Sequence, residues 1–179
     1  MATQAPIRVR CPAKINLGLW ILGKRDDGYH EVDTILQTVG LEDDLTLEAS
    51  PDGFSLETRG IPIPPGGPNL VERAWDLIAE RAAASNARGI RARLTKRIPI
   101  GAGLGGGSSD AAGFLAGANR LLGLGLTKAE LQSLGARLGS DVPFFFEGGT
   151  ARATGRGVVD SATTASTAGR RSVTRVPSP

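Results

Sequence analysis

Residues 99–112 read Pro-Ile-Gly-Ala-Gly-Leu-Gly-Gly-Gly-Ser-Ser-Asp-Ala-Ala. Five of the seven positions from Gly101 to Gly107 are glycine. Without Cβ atoms, backbone N–H groups can converge there on one point. Two serines follow, and a helical pattern begins at Ser108 and runs to about Leu122. Free N–H groups, a helix dipole's positive end and hydroxyl donors together make an anion site, for which a polyphosphate is the natural occupant. A glycine turn without a ligand would explain the glycines but not the Ser-Ser pair and the helix start behind them.

Other phosphate loops fit less well. The Walker A pattern needs a lysine after its last glycine, and none is present. Gly101-x-Gly103-x-x-Gly106 satisfies the dinucleotide fingerprint, which should follow a buried, almost wholly apolar parallel strand. Here the preceding strand carries Arg91 and Arg93 and leads into Lys96 and Arg97. The later His-Arg-Asp and Asp-Phe-Gly signatures of protein kinases are missing.

Outward from the loop, the pattern predicts an α+β domain. Apolar-polar alternation and β-forming residues predict strands at Ile7–Cys11, Ile15–Leu22, Thr34–Val39, Leu45–Glu48, Phe54–Thr58 and Ile90–Leu94, in an antiparallel or mixed sheet. Residues 23–28 form a polar turn cluster. Asn69 begins a helix to about Arg81, with Glu72 completing a capping box. Thr127 and Glu130 give the same signal for a helix to about Leu138. Gly139–Pro143 reads as a turn and Phe144–Phe146 as a short buried run.

Composition bounds the function. The chain has 179 residues, 40% hydrophobic and 22% charged, which excludes wholesale disorder. No apolar run is long enough for a transmembrane helix, and Met1–Arg10 has no apolar signal region. One cysteine, Cys11, excludes an internal disulfide and a cysteine zinc cluster, and one histidine without nearby ligands argues against a metal site. The expectation is a cytoplasmic protein with no membrane partner. The net charge of +3 divides unevenly: residues 151–179 hold five Arg and one Asp, so residues 1–150 carry −1. Nucleic acid is therefore not expected as a partner of the body. From Val158 to Pro179 eight of 22 residues are Ser or Thr and no periodicity appears. The expected division is a domain at 1–157 and a disordered tail at 158–179.

The loop resembles that of the galactokinase, homoserine, mevalonate and phosphomevalonate (GHMP) kinase superfamily, with the pattern Pro-x-Gly-x-Gly-Leu-Gly-Gly-Gly-Ser-Ser-[Asp/Asn]-Ala. Three flanking motifs resemble the 4-diphosphocytidyl-2-C-methyl-D-erythritol kinase family within it. They are Pro12-Ala13-Lys14-Ile15-Asn16-Leu17, Arg25-Asp26-Asp27-Gly28-Tyr29-His30 and Gly139-Ser140-Asp141-Val142-Pro143-Phe144-Phe145. The likeness runs from about Ile7 to Gly157. It implies a nucleotide-binding domain of a kinase that phosphorylates a hydroxyl of a small-molecule cytidyl diphosphate with ATP and Mg²⁺, in isoprenoid (terpenoid) precursor biosynthesis.

The resemblance also implies roles. Asp141 matches a catalytic base and Lys14 its cationic partner. On residue type alone, Asp141 is equally a turn former and Lys14 an ordinary solvated lysine. Pro99, Ile100, Gly101, Ala102, Gly103, Leu104, Gly105, Gly106, Gly107, Ser108 and Ser109 would cradle phosphates, with one serine helping to hold Mg²⁺. Asn69, Leu70 and Lys96 would line the adenine pocket, Asn69 being also a plain N-cap. Asn16, which strand periodicity puts on the side of Lys14, would touch substrate; Tyr29 would stack on cytosine and His30 contact it. Asp110 stands where the family allows Asp or Asn and is given no catalytic role.

The family carries a second, cleft-closing domain, whereas here the likeness stops at Gly157. The expectation is a reading-frame change near codon 157, testable by resequencing, with a dedicated regulatory tail as the alternative. The site is then expected to be recognisable but poorly active. Two other readings stay open: another kinase of the superfamily, acting on mevalonate or homoserine, or an inactive fragment that binds nucleotide or nucleic acid.

Overall fold

The computed structural model describes residues 5–24, 30–66, 69–83, 89–155 and 158–159. The first two expected strands are one, β1 (Ile7–Lys24), and the next two are one, β2 (His30–Ser50). Pro12 and Gly40 suggest breaks, but the antiparallel ladder passes both with a register shift: Pro12 faces Glu42 and Ala13 faces Val39. Such a bulge absorbs unmatched residues and tolerates a proline that has no N–H to give. β3 (Ser55–Gly60) runs parallel to β4 (Gly89–Lys96), which pairs antiparallel with the Asp44–Ser50 half of β2. β5 (Thr150–Gly155) pairs with the Val32–Gln37 half of β2. β6 (Val158–Val159) adds to β5. Val158 and Val159, the first two residues of the expected tail, pair with Thr154 and Ala153 of β5; residues 160–179 lie outside the described residues, as do 25–29 of the expected turn.

Among the described residues there are three α-helices: α1 (Leu70–Ala83), α2 (Gly106–Leu122) and α3 (Lys128–Ala136). Asn69 Oδ1 accepts from Val71 N at 2.9 Å and Glu72 Oε2 accepts from Asn69 N at 2.6 Å, the expected capping interactions. Thr127 and Glu130 form a full capping box on α3. Phe144–Phe146 lie in a 3₁₀ turn starting at Pro143.

The core lies between the sheet and helices α1 and α2. Alternate residues Ile90, Ala92 and Leu94 of β4 and Leu45 and Leu47 of β2 meet Val71, Ala74, Ile78, Phe114, Leu115 and Ala118. α2 sits close to β1 and β2 because it is glycine-rich: a Cβ at Gly113 would lie 2.7 Å from Cys11 Sγ, and one at Gly117 2.6 Å from Leu47 Cδ1. The far half of β1 has no such cover, and Leu17, Leu19, Trp20, Ile21 and Leu22 are all more than half exposed. This contrast sets an expected result. Leu45→Ala should lower the unfolding free energy by about 2–5 kcal/mol in urea denaturation, whereas Leu19→Ala should stay within about 0.5 kcal/mol of the parent.

Candidate active site

The glycine loop closes onto the sheet through one backbone bond, Lys14 N to Leu104 O at 2.9 Å. Gly105 then takes a left-handed conformation, φ 69°, and α2 starts at Gly106, two residues before the expected start. No side chain caps this helix. Its first intrahelical bond is Ser109 N to Gly105 O, so the N–H groups of Gly106, Gly107 and Ser108 have no partner within the helix. They face a cavity of about 350 Å³ lined by residues 99–108 with Ile63, Asn69, Leu70, Lys96 and Asp110. All the expected nucleotide residues except Ser109 line this cleft. Ser109 is buried, and its Oγ has no hydrogen-bond partner among the described residues.

The Lys14 side chain runs beside Gly105, where an added Cβ would come within 3.0 Å of Lys14 Cγ and of Phe145 Cζ. Lys14 Nζ reaches Asp141 Oδ2 at 3.3 Å and donates to Asn16 Oδ1 at 2.8 Å. Asn16 Nδ2 donates to Thr34 Oγ1 at 2.7 Å, and Thr34 Oγ1 donates to Gly18 O at 2.8 Å. The chain of bonds fixes the amide of Asn16 and with it the ammonium. The Lys14 side chain is 8% exposed and that of Asp141 38%, so the carboxylate is the member open to an incoming molecule. Asp141 is set by the turn after α3: Val142 N bonds to Gly139 O at 3.2 Å, and a Cβ at Gly135 would meet Val142 Cγ1 at 2.8 Å. A Cβ at Gly139 would lie 4.0 Å from Ser108 Oγ, so this turn adjoins the start of α2.

The structure therefore brings Lys14, Asn16 and Asp141 together beside the loop. Tyr29 lies outside the described residues, and His30 is described only as the first residue of β2, paired with Lys24.

Lys96 lines the cleft and is also paired inside the protein. It is 4% exposed, with Nζ 2.5 Å from Asp43 Oδ2 and 2.7 Å from Asp110 Oδ2. Sequence reading missed Asp43. The signal was its alternation with Leu45 and Leu47, which puts a carboxylate on the buried face and demands a partner. Asp110 also proves more than a helix-start carboxylate: burial is the main cause that pushes it up to about 7, against the pull of Lys96. The ordinary carboxylate value is near 4. A folded-state acid that keeps its proton longer than the unfolded chain makes stability fall as pH rises between those two values. Urea midpoints should therefore decline from about pH 4 to about pH 7, and the decline should shrink in Asp110→Asn.

Known proteins resemble this chain in sequence and in fold. Residues 69–149 match the family described as GHMP kinases N terminal domain. The chain is 50% identical over 147 residues to a 4-diphosphocytidyl-2-C-methyl-D-erythritol kinase of Synechococcus sp. (strain JA-2-3B'a(2-13)), covering 82% of this chain and 47% of that protein. It is 50% identical over 144 residues to the protein of that name from Moorella thermoacetica, covering 80% and 50%. A crystal structure of 4-(cytidine 5'-diphospho)-2C-methyl-D-erythritol kinase superposes with a TM-score of 0.71 at 41% identity, over 86% of this chain and 54% of that one. A Methanococcus jannaschii mevalonate kinase shares the fold, with a TM-score of 0.62 at 14% identity, over 89% of this chain and 56% of that one. The chain spans about half the length of the curated relatives it matches. Among the described residues no helix is long and apolar enough to cross a membrane. In fold and in sequence, then, residues 69–149 match the GHMP kinase N-terminal domain family, and the chain is similar over four-fifths of its length to 4-diphosphocytidyl-2-C-methyl-D-erythritol kinases.

Proposed function

We propose that the chain is the nucleotide-binding part of a kinase that moves the γ-phosphoryl group of ATP to a hydroxyl of 4-diphosphocytidyl-2-C-methyl-D-erythritol. The observation that carries this reading is the Lys14–Asp141 pair, 3.3 Å apart, beside an uncapped helix start and a glycine cradle. The names of the relatives at 50% identity support the choice of alcohol.

The residues divide the work. Backbone N–H groups of Gly106, Gly107 and Ser108 hold phosphate oxygens on the positive end of α2. Asn69 and Leu70 line the cleft and take the adenosine moiety. Asp141 accepts the proton of the substrate hydroxyl as its oxygen forms the bond to phosphorus and ADP leaves. Lys14 orients Asp141 through the 3.3 Å contact and offsets charge developing on the attacking oxygen. Asn16 holds Lys14 and presents its exposed edge to the substrate. Tyr29 and His30 take the cytosine ring by stacking and polar contact.

The site's chemistry fits Mg²⁺ held by phosphates and few protein groups. Among the described residues no cluster of three metal-ligating His, Cys, Asp or Glu side chains exists, while the unpartnered Ser109 Oγ and the adjacent Ser108 hydroxyl are available oxygens. Mg²⁺ would neutralise charge on the transferred phosphoryl group. The test is a comparison of kcat/KM for the cytidyl alcohol, mevalonate and homoserine with ATP. The reading requires the cytidyl alcohol to lead; a preference for either other alcohol would replace it.

A further inference from the structure

Three charges are enclosed under the glycine loop: Asp43, Lys96 and Asp110, with side chains 0%, 4% and 2% exposed. Two carboxylates share one ammonium, and with Asp110 pushed up to about 7 the trio lies between neutral and −1 at neutral pH. Lys96 and Asp110 also line the cleft that the preceding reading gives to a triphosphate. A trio without a positive excess gives phosphate no net attraction, so attraction of the nucleotide is not what the cluster supplies.

Its connections suggest a different task. Asp43 Oδ1 accepts from Arg97 N at 2.5 Å and from Ile98 N at 2.9 Å, the two residues that lead into the loop. Asp110 lies on α2, by which the chain leaves the loop. Lys96 ends β4 and joins both carboxylates through one Nζ. A Cβ at Gly106 would lie 3.2 Å from that Nζ, so the ammonium packs against the first residue of α2. Entry and exit of the loop are thus tied to one another and to β2.

We propose that Asp43, Lys96 and Asp110 form a single positioning unit that sets the separation of the two ends of the phosphate loop, and that Lys96 serves the nucleotide through this unit rather than by touching phosphate. The inference rests on the nucleotide-binding reading above for its effect on affinity, but not for the geometry of the loop. Asp110, given no role by sequence, and Asp43, not singled out there, become positioning residues.

Calorimetric titration of the full 179-residue chain with ADP separates the alternatives by sign. If Lys96 is a direct phosphate ligand, Lys96→Met weakens ADP while Asp43→Asn, which removes a competing negative charge, leaves it unchanged or tightens it. A positioning unit requires both to weaken ADP by about tenfold or more, with the double variant no weaker than the worse single one. Asp43→Asn binding as tightly as the parent overturns the proposal. If either variant lacks a cooperative melt, Asp110→Asn is read instead by hydrogen exchange without nucleotide. Amides of residues 100–108 should exchange about tenfold faster than in the parent, with those of β4 unchanged; unchanged loop exchange overturns the proposal. A parent chain that fails to bind ADP at millimolar concentration counts against the nucleotide reading alone, and the exchange experiment still decides the positioning unit.

Discussion

Asp141→Asn is expected to lower the rate of phosphoryl transfer to the cytidyl alcohol by about 10²–10⁴-fold while ATP affinity stays within about twofold. Asparagine matches aspartate in shape but cannot take up the hydroxyl proton. ATP affinity is spared because Asp141 lies outside the residues that line the cleft. Lys14 keeps its bond to Asn16 Oδ1 in the variant, so the ammonium remains near its place. Lys14→Met should give a loss of similar size, and the double variant should lose little more than either single one, since the pair acts as a unit. Single-turnover measurements with chain in excess over ATP check all three. Full additivity would mean that the two residues work separately.

Gly105→Val is the second large effect, and it acts on binding. Gly105 has φ 69°, a region where a β-branched side chain is an outlier. Its new side chain would also strike Lys14 and Phe145, each 3.0 Å from the added Cβ. Backbone strain of this kind costs roughly 1–3 kcal/mol, and relief comes only by moving the start of α2 or Lys14. ATP affinity should therefore fall by about tenfold to a hundredfold, since misplaced N–H donors lose a charge-assisted bond each. Gly101→Ala is the control: φ is 73° there, but no heavy atom lies within 4 Å of the added Cβ. It should cost about 1–2 kcal/mol of stability with ATP affinity close to that of the parent. Equal losses of affinity in the two variants would show that general loop strain, not the packing of Gly105, controls the cradle.

Legibility varied with the range of the physics involved. Local rules worked well. The caps at Asn69 and Thr127 need only side chains within three residues: Thr127 and Glu130 close a full box, and Asn69 caps Val71 N while Glu72 accepts from Asn69 N. Strand periodicity put Asn16 beside Lys14, and a 2.8 Å bond joins them. The cleft around residues 99–108 follows from glycine conformations and a helix start. Long-range features did not yield to residue patterns. The meeting of Lys14 with Asp141 depends on how β1 and the turn after α3 converge, and it was expected only through the family resemblance. Pro12 read as an end of strand because proline lacks a donor, yet a bulge opposite Gly40 and Leu41 carries β1 past it. The Ile15–Leu22 stretch read correctly as a strand. That its side chains would be exposed on both faces was not evident, since exposure depends on whether another layer covers the sheet. The burial of Asp43 was not anticipated for the same reason: its partners come from the end of β4 and the residues that follow it, far away in sequence.

The most direct test is one round of reaction with stoichiometric chain, γ-labelled ATP, Mg²⁺ and 4-diphosphocytidyl-2-C-methyl-D-erythritol, following label in the alcohol. The parent should transfer the γ-phosphoryl group, and Asp141→Asn should not do so on the same timescale although it binds ATP as well as the parent. Equal transfer by the two proteins would contradict the assignment of Asp141 as the base and of the cleft beside it as the place where phosphoryl transfer occurs.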